Sequence, residues 1–291
     1  MRLSFITKAI IIISALLTIV ACSSDEKAAQ QQLNNARQLY NDGYYAEAKQ
    51  EVDSLRSLYP KAFKQINESF LLVDSIRRSE NELTIKQCDS LITAYIPMID
   101  SVKKYFVYQR DEKYQETGTF IPKEGYTGLQ LTSTLLRSGV EEDGKLYIES
   151  VFIGGQTHNK LKVSTKDGLF AESQQVEGDG FIFRFSNLGK QYEVIKYTGP
   201  NENGIAKFVV ANQDKPVTAT LSGEGNYSFT LSKTSKSSIA KAYELSVMMS
   251  QMDSLKTEKE KAQFRIMNLD QKKEKANTGA APNTDTIPNI E

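Results

Sequence analysis

Two apolar seams bracket a block of short alternating segments, and this arrangement restricts the fold more than anything else in the sequence. Ile85, Cys88, Ile92, Tyr95, Ile99, Val102 and Phe106 follow one another at spacings of three and four. That is the pattern of a helix burying one stripe against a partner helix. Leu245, Met248, Met252, Leu255, Lys259, Ala262, Ile266 and Leu269 repeat it further on, apolar at every position but Lys259. A run of about 25 residues makes roughly 37 Å of helix, too long a stripe to leave uncovered. Each seam is therefore expected to take the other as its antiparallel partner, holding the strands between them at one end. Pro97 interrupts the first seam; its ring removes a donor, so a bend near Thr93 is expected.

Between the seams the sequence changes character at about Thr117, where Gly118, Pro122, Gly125 and Gly128 punctuate it. Strands are expected at 129–137, 145–153, 160–165, 180–186, 191–198, 205–211, 216–222 and 226–232. Phe181, Phe183 and Phe185 alternate with Ile182 and Arg184, as Tyr227, Phe229 and Leu231 do with Ser228 and Thr230. Turns fall at Glu142-Asp143-Gly144, Lys166-Asp167-Gly168, Gly178-Asp179-Gly180 and Gly223-Glu224-Gly225. Connections this short exclude a parallel sheet, so residues 126–233 read as an antiparallel β-sandwich. The returning helix is placed at 236–275, and the polar stretch 276–291 reads as a disordered tail.

Residues 35–115 read as helical. Within them ARQLYNDGYYAEAKQEVDSLRSLYP, residues 36–60, resembles one tetratricopeptide repeat: Gly43 stands at the inter-helix turn, Tyr45 and Ala48 at packing positions, and Leu58 and Pro60 at the exit. Gln32 and Asn35 depart from that pattern, and no second copy follows. Since such repeats need about three stacked units, the resemblance implies a single helical hairpin. Two further helices are expected, the first over Phe63–Leu83 with Ile66, Phe70 and Val73 inward, the second carrying the seam from Ile85. The fold class is thus α+β, with an N-terminal helical hairpin and long helices flanking the sandwich.

The chain opens with Arg2 and Lys8, an apolar run from Ala9 to Val20, then Ala21 and Cys22. This is the layout of a secretory signal peptide over residues 1–21, too short an apolar run to span a bilayer comfortably. Ile19-Val20-Ala21-Cys22 resembles the lipobox of bacterial lipoproteins, which implies cleavage before Cys22 and acylation of that cysteine, palmitate among the chains. Several acyl chains hold a protein on its membrane, each buried CH₂ contributing about 0.8 kcal/mol. Ser23 stands where an inner-membrane retention aspartate would be, so the expected address is the outer membrane. Asp25-Glu26 resembles acidic signals that export some lipoproteins to the cell surface, and both faces of that membrane stay open. Residues 22–34 are placed as a tether, with the polar stretch 25–34 reading either as that tether or as the frayed start of a helix.

Acylation of Cys22 leaves only Cys88, so no intrachain disulfide is expected. Cys88 lies on the seam and reads as a core residue. Removing residues 1–21 takes away two basic residues, leaving 34 against 36 acidic; nothing there displaces counterions from nucleic acid. His158, the only histidine, reads as a surface-loop residue. Without clustered Cys and His, a nucleophile elbow or a phosphate-binding loop, no catalytic residue, metal or cofactor is expected. Glu141, Glu142 and Asp143 read as turn residues. Asp-Ser/Thr-aliphatic tripeptides, at Ser54, Ser75, Ser90, Ser101, Ser254 and Thr286, resemble the acceptor of a general O-glycosylation system, which points to Thr286 in the tail. The expected function is non-catalytic: an envelope lipoprotein presenting an interaction domain to a protein or polymer partner. A glycan-binding lipoprotein, using Tyr147, Tyr192, Tyr197 and Tyr227 as platforms, is the alternative, and a hydrolase the most remote.

Overall fold

The computed structural model describes residues 24–113, 115–125, 131–178 and 180–278. The fold is α+β, and the chain divides into two compact units, one built from the stretches up to Asp89 and from Thr257 on, the other from Ser90–Lys256.

The first unit is helical. Helix α1 covers residues 24–41, α2 Tyr45–Leu58 and α3 starts at Phe63. Gly43 has φ +84° between α1 and α2, a left-handed conformation that a side chain would strain. Of the two readings of this stretch the tether is corrected and the helix start holds: residues 24–34 are helical, and Ala29, Leu33 and Ala36, at spacings of four and three, are fully buried. Leu33 and Ala36 meet Ala48, Val52 and Leu55 of α2 and Leu72 and Ile76 of α3 in one core. Phe70, expected inward, is instead half-exposed, with the Arg56 guanidinium 4.3 Å above its ring.

The expected break at 84 does not exist either. Helix α3 runs unbroken over Phe63–Lys103, since no Gly or Pro stands at that point and Thr84 Oγ1 donates back to the Glu80 carbonyl. It continues through Pro97. The last helix, α5, spans Lys233–Thr278, three residues further each way than expected, opened by Ser232 Oγ accepting from the Ser235 N–H at 2.9 Å. In the first unit α3 and α5 run antiparallel: Asp74 meets Lys272 at 2.6 Å, Arg78 meets Asp270, and Asp89 meets Lys259 at 2.6 Å. In the second unit Tyr95 donates to Gln251 at 2.6 Å. Every seam residue expected between Ile85 and Val102 is buried or half-buried, as are all eight from Leu245 to Leu269.

In the second unit the strands are β1 Phe106–Gln109, β2 Thr119–Pro122, β3 Leu135–Glu141, β4 Leu146–Ile153, β5 His158–Thr165, β6 Phe170–Glu172, β7 Ile182–Asn187, β8 Lys190–Thr198, β9 Val217–Gly223 and β10 Asn226–Thr230. They form a six-stranded sheet in the order β1-β2-β3-β4-β8-β7 and a four-stranded sheet in the order β10-β9-β5-β6, all antiparallel. Leu136, Ile148, Ile195 and Tyr197 of one sheet share a core with Leu161, Val163, Ala219 and Leu221 of the other, as a sandwich requires.

Four expectations fail here, the first being the strand placed at 129–137, which is instead β3 at Leu135–Glu141. Phe106, placed at the end of the helical seam, opens β1, and with β2 extends the sheet into the region expected to be helical to residue 115. The short β6 lay between the expected strands. Residues 205–211 form helix α4, Ile205–Ala211, not a strand. Glu202 accepts from the Gly204 N–H at 3.0 Å and the Ala206 N–H at 2.5 Å, which satisfies amides at the helix start. Ile205, Ala206 and Val209 then enter the sandwich core from one helical face.

Candidate functional site

Alternation along the six-stranded sheet places Ser150 of β4 and Glu193 of β8 on the face that also carries Ile148, Ile195 and Tyr197. Across from them stands His158, the first residue of β5. By strict alternation it would share the outward face of Lys160 and Lys162. A register shift between His158 and Lys160 turns it inward, the usual effect of a bulge.

His158 Nε2 lies 2.6 Å from Ser150 Oγ, and Nδ1 faces Glu193 Oε2. Its backbone N–H donates to the same carboxylate oxygen at 2.8 Å, while Arg184 of β7 donates to the other at 2.7 Å. Facing an ionised Glu193, Nδ1 is the ring nitrogen that carries a proton, and in that neutral tautomer Nε2 accepts from the Ser150 hydroxyl. Burial pushes the Glu193 carboxyl up, but the bonds from the His158 ring, the His158 amide and Arg184 outweigh it and hold it below the usual carboxylate range.

The order serine, histidine, carboxylate is that of a nucleophile, its base and the group orienting the base. Access is missing. Ser150 is fully buried, His158 is 4% exposed and Glu193 3%. The space beside them, between Phe152, Thr157, Leu221 and Tyr227, is about 10 Å³, room for about one water. In this conformation no acyl substrate reaches Ser150, and the array is a polar tie between the two sheets. The surface-loop expectation for His158 is thereby corrected. Ser150 and Glu193 escaped notice too, although polar residues at inward positions between Ile148 and Phe152, and between Tyr192 and Ile195, were a signal that something had to satisfy them.

The outer face of the six-stranded sheet carries a groove of about 480 Å³. Arg137 bonds Glu149 across strands at 2.5 Å, and Lys196 reaches Glu141 at 2.7 Å, its ammonium 4.2 Å from the centre of the Tyr147 ring. Tyr147 lies over Gly139, where a Cβ would meet its hydroxyl at 2.3 Å; burial, then Glu149, pushes its phenol up to about 12. Glu141 and Glu142 are more than turn residues: Glu142 accepts from Tyr108 and from the Gly118 N–H, both at 3.0 Å. The four tyrosines do not form an exposed row. Tyr147, Tyr192 and Tyr197 are buried, and only Tyr227 is open to solvent. Phe183, Phe185 and Tyr108 are exposed rings of this sheet, Phe185 stacked on Tyr192 at 4.9 Å.

Cys22 and Thr286 lie outside the described residues. Ser75 and Ser254 of the tripeptides donate to the carbonyls four residues back, Leu71 and Ser250. Cys88 is buried, and no cluster of three or more His, Cys, Asp or Glu that could hold a metal occurs among the described residues. No helix among them is long and apolar enough to cross a membrane. No protein-family model matches the chain, and no curated protein or solved structure matches it significantly.

Proposed function

We propose that this chain is a non-catalytic envelope lipoprotein, held at the outer membrane by lipid on Cys22, that presents its helical unit and its sandwich to a protein or polymer partner. The observation that carries the reading is a pair of neighbouring apolar side chains left open on the helical unit. Phe70 and Leu71 stand side by side on α3, Phe70 half-exposed and Leu71 71% exposed, whereas scattered single apolar residues would call for no explanation. The sealed Ser150-His158-Glu193 array supports the same reading, since the groups that resemble catalytic machinery have no path to a substrate.

A photo-crosslinking amino acid at position 71, in cells producing the full chain, tests it. The expected result is adducts of discrete mass that vanish when Phe70→Asp is added. A smear independent of Phe70, or no adduct at all, would contradict the reading.

The groove supports the second reading, a glycan-binding lipoprotein. Its cations are already paired with carboxylates, so an uncharged polyhydroxylated ligand could bond to them without displacing a charge. The groove lies within the size range of ligand sites.

A further inference from the structure

The helical unit has an end defined by two pieces of chain. Asp25 and Glu26 of α1 line a shallow cavity of about 180 Å³ together with Leu58, the last residue of α2, and Tyr59 and Lys61 of the connection to α3. One turn further on, Gln65 donates to Gln30 at 3.4 Å, and Ala29 and Ala62 are buried. The start of α1 and the 59–62 turn therefore lie side by side. Residue 24, where the described chain begins, is two residues from Cys22, a reach of about 7 Å at full extension.

This end carries the side chains of an interfacial segment. Leu58 is 63% exposed and Phe63 71%, with half-buried Tyr59 between them in sequence. Lys61 and Lys64 are exposed, and neither forms an ion pair among the described residues. Apolar side chains that enter the headgroup boundary, an aromatic hydroxyl at its level and lysines whose stems extend along it are what a bilayer surface accepts. The two lysines, Lys61 and Lys64, balance the two acids, Asp25 and Glu26, in number, so apolar contact rather than charge governs the association.

We infer that the 58–64 corner of the helical unit seats on the lipid leaflet that holds the Cys22 acyl chains, with Leu58 and Phe63 entering the interface. The inference rests on the lipid-anchor reading. It makes the anchor a two-point attachment: the acyl chains hold the protein, and the corner fixes how the helical unit stands on the membrane.

The absence of tryptophan from the chain supplies the test. Full-length lipidated protein carrying Phe63→Trp, with far-UV circular dichroism matching the unmodified chain, is reconstituted into vesicles of phosphatidylethanolamine and phosphatidylglycerol. Emission should shift to the blue and be quenched by brominated acyl chains. Leu83→Trp, at an exposed position of the same helix twenty residues or about 30 Å away, should show neither effect. If the protein floats with the vesicles but Phe63→Trp behaves as Leu83→Trp does, the seating is overturned and the anchor stands. If it does not float, the anchor reading fails and the seating fails with it.

Discussion

Glu193→Ala is expected to destabilise the sandwich by about 2–5 kcal/mol, read from the shift in the urea midpoint at pH 7, because it leaves two buried donors, the His158 ring N–H and amide, without an acceptor, at about 1–3 kcal/mol each. The carboxylate, 3% exposed, answers both the His158 ring and the His158 amide. Arg184 loses a partner too, but its side chain is mostly in solvent and rehydrates. The Glu193→Leu, His158→Leu pair is expected to recover part of the loss, since replacing both members of a buried pair is often close to neutral. The same carboxyl predicts a dependence on pH. Its folded value lies below its unfolded one, so its contribution is fully present above the unfolded value, roughly 4.3, and is lost as pH falls through the folded value. The unfolding midpoint of the unmodified chain should decline below about pH 4.5, and Glu193→Gln should flatten that decline. A cost under about 1 kcal/mol for Glu193→Ala would mean that His158 is not held as described.

Ile205→Ala is expected to cost about 2–5 kcal/mol, the usual range for truncating a fully buried aliphatic side chain whose surroundings close only partly on the cavity. Ile205 stands at the first position of α4 and belongs to the core shared by both sheets. Lys207→Ala, two residues on and exposed, should change stability by less than about 0.5 kcal/mol. The comparison tests more than burial. Strand alternation would put residues 205 and 207 on one face and 206 on the other, whereas the helix buries 205 and 206 together and exposes 207. Equal effects at 205 and 207 in thermal unfolding would speak against α4.

The helical seams were legible because helix periodicity alone determines which residues are covered: all the expected seam residues that lie in α3 and α5 are the shielded ones. Phe106, one spacing further, is buried as well but opens a strand, and nothing in the three-four pattern records that change of backbone. The single glycine turn at Gly43 was legible for the same local reason. Segment 205–211 was misread because Ile, Phe and Val favour strands as isolated residues; what makes them helical is Glu202 capping their amides and a core waiting on one side. Residues 24–34 looked like a tether because their polar side chains dominate the composition, while the packing is done by Ala29 and Leu33. His158 was the hardest to see. Its inward orientation depends on a bulge, a one-residue irregularity in pairing that leaves no mark on the alternation of β5, and its partners come from strands that only the folded sheet brings opposite it.

The measurement that tests the account most directly is fractionation and surface-protease accessibility of intact cells producing the tagged full chain beside its Cys22→Ala variant. The unmodified chain should stay with the outer membrane after washing in high salt, whether or not the protease reaches it, and Cys22→Ala should be released. A Cys22→Ala variant that remains as firmly membrane-bound as the unmodified chain would contradict it.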